Sequence, residues 1–232
     1  MSRIRPFINT DLIEAITGIC RSGKSVMLEP IKEELIGSGD NPEQFISISF
    51  EDMRYASLQN AKALHDEILR KAGGISDRVY LFFDEIQEVK DFEKCINSLG
   101  VSLNCDIYIT GSSARLLSGE LATYLAGRYV EFVIYPFSFE EFTDLYRTID
   151  PDITIEKSFR KYLTAGGMPY LANLRYQDEP SKQYLNDLFN SVQLKDIVKR
   201  NKVRDVDLLE RIIAYVMANV GNCFQPLPLS NI

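Results

Sequence analysis

Histidine is almost missing from this chain, with His65 the single example among 232 residues. The four cysteines, Cys20, Cys95, Cys105 and Cys223, are widely spaced and form no C-x-x-C pair. So few imidazoles and no paired thiols argue against a zinc site. The cysteines read as reduced thiols, Cys95 and Cys105 partly buried, and His65 as a surface residue of a helical segment. No apolar run reaches the roughly 20 residues of a membrane span. Met1–Pro6 holds two arginines with no long apolar stretch behind them, unlike a secretory signal. Cytoplasm is the expected location, with no membrane partner. Cations are the minority charge, 26 against 33 anions for a net −7. That balance disfavours broad, nonspecific contact with nucleic acid. Repeats and low-complexity tracts are also lacking.

What is present is concentrated in eight residues, Gly18-Ile19-Cys20-Arg21-Ser22-Gly23-Lys24-Ser25. They fit G-x-x-x-x-G-K-[ST], the phosphate-binding P-loop. Glycines let successive N–H groups curl around phosphate oxygens, and the helix that follows points its positive end at the same anion. Lys24 would reach the β- and γ-phosphates, and the Ser25 hydroxyl would ligate Mg²⁺. The context fits: residues 12–17 read as a short strand, and Lys24 to Leu35 has a helical apolar rhythm. Pro30 falls inside that helix, so a bend is expected there.

Strands and helices then alternate, at about 45–50, 58–72, 79–83, 92–99, 106–110 and 128–134. Five strands with helical crossovers mean a parallel α/β sheet. Beyond about residue 137 only helical segments follow, near 139–146, 155–164, 180–199 and 207–220. Pro180 suits a first helical position, and Asp207-x-x-Glu210 resembles a capping box. The domain boundary is expected at 147–153, separating a core, 1–148, from a helical, lid-like region, 149–232. Tyr135-Pro136-Phe137-Ser138-Phe139 is aromatic and is expected to pack the lid against the core, not against a base.

The third strand is four apolar residues followed by Asp84-Glu85, the Walker B pattern. A buried strand delivers both carboxylates to the carboxyl edge of the sheet, where ligands bind in such folds. Asp84 would hold Mg²⁺, and Glu85 would orient or deprotonate the attacking water. The fourth strand ends in Thr110-Gly111-Ser112-Ser113. Ser112 or Ser113 is a candidate contact for the γ-phosphate, against ordinary turn chemistry. Arg128, opening the fifth strand, is a candidate charge stabiliser in cis or from a neighbouring subunit, against a surface ion pair.

Beyond these motifs, the chain resembles the prokaryotic AAA-domain ATPases whose longer members carry a C-terminal domain labelled DUF4143. The matching stretches are ITGICRSGKS (16–25), FDEIQEV (83–89), ITGSSARLL (109–117), GRYVEFVIYPFSFEEF (127–142), YLTAGGMPYL (162–171) and DIVKRNKVRDVDLLER (196–211). The resemblance implies an AAA+-like core with sheet order 5-1-4-3-2. It carries Lys24, Ser25, Asp84 and Glu85 over directly, and Ser112, Ser113 and Arg128 by position. Cys20 stands where arginine is common in the family. The chain is also shorter than family members, which suggests a fragment whose further domain would hold a nucleic-acid or protein partner.

The reading is a Mg²⁺-dependent ATPase acting as a conformational switch, with ATP and Mg²⁺ as cofactors and an oligomer possible. One alternative is a nucleotide-regulated DNA-binding or defence-related module, using the basic run Lys195, Lys199, Arg200, Lys202 and Arg204. Another is a small-molecule P-loop kinase, against which the Asp84-Glu85 pair argues. No NKxD-like guanine signature stands at a strand end, which favours adenine.

Overall fold

Strands buried along nearly their whole length organise the chain around one sheet. A computed structural model describes residues 1–112, 125, 127–192 and 205–221. The strands are β1 (Ile13–Gly18), β2 (Phe45–Ser49), β3 (Val79–Asp84), β4 (Cys105–Gly111) and β5 (Tyr129–Ile134). All pair in parallel, in the order β2-β3-β4-β1-β5. This is the expected 5-1-4-3-2 order, read from the other side.

The helices α1 (Leu28–Gly37), α2 (Ala61–Ala72) and α3 (Phe92–Ser102) cover the two faces of this sheet. On one face Ile16, Tyr80, Phe82, Tyr108 and Phe132 pack against Leu28, Ile31 and Leu35 of α1. The rings of Phe45, Phe82 and Tyr108 stack across neighbouring strands there. On the other face Ala15, Ile48, Leu81, Phe83, Ile107 and Ile109 meet Leu64 and Ile68 of α2 and Ile96 and Leu99 of α3. Both faces being covered explains why β3 reads as a continuous apolar run. Cys95 and Cys105 are buried free thiols, pushed up to about 12 and about 11 by burial. His65 is half-buried, its Nε2 3.0 Å from Ser98 Oγ of α3.

Three helix details differ from the sequence expectation. The P-loop helix begins as a 3-10 turn, Ser25–Met27, and α1 starts only at Leu28. Pro30 is therefore its third residue, in the turn whose N–H groups have no intrahelical partner, and it replaces a bend with a helix start. The segment before α2 is a 3-10 turn, Met53–Leu58, and Asn60 caps α2 by accepting from the Ala63 N–H at 2.9 Å. Helix α3 runs through Gly100 to Ser102 instead of stopping at Leu99.

After β5 come α4 (Phe139–Arg147) and α5 (Ile155–Ala165). Ser138 and Glu141 form a capping box for α4. Phe139, Phe142, Tyr146, Tyr162 and Tyr176 build an aromatic cluster between them. A Cβ at Gly167 would collide with the Phe137 carbonyl, so glycine permits that close approach. By packing, this first unit runs Met1–Tyr176 and a second Gln177–Ile232. The expected 147–153 boundary falls on the loop between α4 and α5, inside the first unit.

The second unit holds α6 (Asp178–Val192) and α7 (Val206–Ala218). Pro180 is the third residue of α6, not the first. The cap of α7 is Asp205, which accepts from the Leu208 N–H at 2.9 Å, in place of the expected Asp207 box. The basic run 195–204 lies outside the described residues.

Candidate functional site

Parallel strands send every strand C-terminus to one edge, and the P-loop leaves β1 at that edge. Gly18 has φ +150° and Gly23 φ +100°, and Arg21 between them has φ +66°. A Cβ at Gly18 would strike the Ile134 carbonyl oxygen of β5. Ile19, Cys20 and Arg21 lie on the surface of the loop, whereas Ser22 is buried, its N–H donating to Ile19 O at 3.2 Å. Lys24 is only 5% exposed. Its ammonium donates to Ile19 O at 3.2 Å and stands 3.7 Å from Glu85 Oε1.

Asp84, the last residue of β3, receives three hydroxyls. Ser25 Oγ donates to Oδ1 at 2.7 Å, Thr110 Oγ1 to Oδ1 at 2.6 Å and Ser49 Oγ to Oδ2 at 3.1 Å. Thr110 also accepts the Glu85 N–H at 3.0 Å. That bond steadies Glu85 in a left-handed conformation, φ +53°, which costs a non-glycine residue about 1–3 kcal/mol. The Gln87 amide donates to Glu85 Oε2. A cavity of about 340 Å³ opens beside Ser25 and Asp84, lined also by Lys32, Ser49, Asp52 and Arg54.

The structure thus gathers Gly18–Ser25, Asp84 and Glu85 at one place. Ser112 follows β4 at the same edge, its hydroxyl shielded and without a hydrogen-bond partner among the described residues. Ser113 lies outside the described residues. Arg128 is not brought here. It precedes β5, at the amino edge, where its guanidinium donates to Asn97 Oδ1 at 2.8 Å beside a separate cavity of about 460 Å³. The Ile13↔Tyr129 to Gly18↔Ile134 register runs the whole length of the strand between them, about 17 Å at roughly 3.3 Å per residue. A role in cis for Arg128 is therefore corrected: a residue that opens a parallel strand belongs to the edge opposite the P-loop.

Sequence reasoning missed Ser49 and ranked Thr110 below its serine neighbours. The signal for Ser49 was available: it pairs with Asp84 in the β2–β3 register and follows the period-2 alternation of Phe45-Ile46-Ser47-Ile48-Ser49.

The comparisons with known proteins fit this geometry. The model of an AAA domain matches residues 10–143. A domain of unknown function, DUF8612, matches residues 156–232, which corrects the DUF4143 label expected from the resemblance. An uncharacterised protein of Haemophilus influenzae is 38% identical over all 232 residues, 57% of its own length. One of Methanocaldococcus jannaschii is 31% identical over 218 residues, 89% of this chain and 47% of that protein. The chain thus spans about half the length of these relatives. Among solved structures, a Walker-type ATPase of Pyrococcus abyssi aligns with TM-score 0.51 at 18% identity, covering 81% of this chain and 72% of that one. A Thermotoga maritima RuvB mutant aligns with TM-score 0.51 at 13% identity, covering 95% and 74%. At these identities the likeness is one of fold.

Proposed function

The chain belongs to the AAA_14 family of AAA domains, and from that premise we propose that it binds ATP with Mg²⁺ and hydrolyses it as a conformational switch. One observation carries the reading. The Ser25 hydroxyl lies 2.7 Å from Asp84, and the Lys24 ammonium 3.7 Å from Glu85, so phosphate loop and acidic pair share one site.

Each residue then has a role. The loop N–H groups and the N-terminus of the helix behind them receive the phosphate oxygens. Lys24 neutralises the β- and γ-phosphates. Ser25 and Asp84 present hard oxygen ligands of the kind Mg²⁺ takes, and the hydroxyls of Ser49 and Thr110 fix the carboxylate's orientation, so the residues fit the ion. When bound, Mg²⁺ offsets charge on the β- and γ-phosphate oxygens. Glu85 accepts the proton of the attacking water. Ser112, whose hydroxyl at the end of β4 has no partner among the described residues, donates to the γ-phosphate, and Ser113 is its neighbour in sequence. The second unit would receive the change of state.

Glu85→Gln tests the assignment. Phosphate release should fall at least about 100-fold while filter-binding shows ATP still held. Hydrolysis at the wild-type rate would overturn the role of Glu85. Lys24→Ala should lose nucleotide binding itself.

A further inference from the structure

A P-loop grips phosphates whatever base they carry, so a nucleotide site needs a second, apolar contact. The strand order says where it must lie. Asp84, at the end of β3, marks the metal and γ-phosphate end of the site, on one side of β1. A triphosphate reaching from Ser25 to Asp84 extends its nucleoside the other way, toward β5.

At that position stands Tyr135. It follows Ile134, which pairs with Gly18, so it leaves the sheet level with Ile19 of the P-loop. Tyr135 is 72% exposed, and Ile19, one residue past the end of the register on β1, is 49% exposed. Of the other tyrosines and phenylalanines of the next thirty residues or so, Phe139, Phe142, Tyr146, Phe159 and Tyr162 enter ring contacts with one another or with Tyr176, and Phe137 makes none among the described residues. Tyr135 has no ring contact or side-chain hydrogen bond among the described residues. Of the segment expected to pack the lid against the core and not a base, Phe139 joins the aromatic cluster of α4 and α5, whereas Tyr135 is left exposed. Pro136 restrains the backbone of Tyr135 to an extended conformation. A large aromatic left in water where β5 ends level with the phosphate loop suits a flat, apolar ligand.

We infer that Tyr135 is the stacking platform for the nucleobase, with Ile19 as its apolar border. The inference rests on the nucleotide reading above and adds the residue that holds the nucleoside half of the ligand.

Calorimetric titration of the full chain with MgATP and with magnesium tripolyphosphate, which has phosphates and no base, separates the two. Base–aromatic stacking contributes about 1–3 kcal/mol, so Tyr135→Ala should weaken ATP roughly tenfold and leave tripolyphosphate within about twofold of wild type. Tyr135→Phe, which keeps the ring, should bind both ligands as wild type does. Unchanged ATP affinity in Tyr135→Ala overturns the inference, as does an equal loss of both ligands, which marks a structural role. A loss in Tyr135→Phe as large as in Tyr135→Ala also overturns it, because the hydroxyl and not the ring would then matter. Wild-type protein that binds neither ligand would instead remove the nucleotide reading, and this inference with it.

Discussion

Thr110 holds the site at the scale of a single hydroxyl. It donates to Asp84 and accepts from the Glu85 N–H, so it joins both acidic residues although it is itself fully buried. Thr110→Val keeps the shape, but leaves the Glu85 N–H and one Asp84 lone pair unsatisfied. The expected cost is about 1–3 kcal/mol in urea unfolding, with turnover reduced more than tenfold because Glu85 loses its restraint. Equal stability and turnover would show that the bond has no such part. Glu14 makes a different case. It is buried in β1 beside Asp106 of β4, which already accepts from the Asn9 N–H at 2.8 Å and the Tyr108 hydroxyl at 2.9 Å. Burial first, then the Asp106 charge, push Glu14 up to about 10. Between its usual carboxylate range and that value the folded chain keeps a proton that the unfolded chain releases. Stability is thus full at low pH and falls as pH rises through this window, by up to about 1.4 kcal/mol per pH unit. Glu14→Gln removes the slope, so its melting temperature should gain on wild type from pH 5 to pH 9; a constant difference would refute the assignment.

The elements show where local chemistry decides and where it yields. Gly18 ends β1 against the Ile134 carbonyl. Gly18→Ala should separate β1 from β5, lower stability by more than about 2 kcal/mol and abolish nucleotide binding, read by calorimetry on the same preparation. Pro30, which a sequence reader fears most, should matter least. In the first turn of α1 it removes no helical bond, so Pro30→Ala should change unfolding free energy by less than about 1 kcal/mol. These two residues mark what could be read in advance. Strand positions, the helix alternation and the acidic pair were legible, because the period-2 and helical patterns report burial directly and the P-loop and Walker B spacings report chemistry. Arg128 was not, since sequence shows that a residue adjoins a strand more clearly than which end of the sheet it faces. The cap of α7 was missed by two residues because Asp205 and Asp207 are equally good acceptors, and only the backbone angle at Asp205 chooses between them. Ser49 and Thr110 needed the sheet order before their nearness to Asp84 had meaning.

At the scale of the molecule, the phosphate loop, the acidic pair and the aromatic cluster of α4 and α5 all fall within Met1–Tyr176. Residues 1–176 should therefore unfold in one transition and melt at higher temperature with MgATP, by the mass-action gain of about 2.7 kcal/mol at a hundredfold excess over Kd. A fragment that stays unfolded, or folds and ignores MgATP, would place part of the site beyond Tyr176. The pairing of Lys24 with Glu85 has its own consequence for how such a protein rests. On the proposed function, one ammonium would serve two rival anions, Glu85 at 3.7 Å and the polyphosphate. Arrival of the polyphosphate would then release the very glutamate proposed to accept the proton. Readiness would belong to the loaded protein alone, and a neutral side chain at position 85 would ease loading.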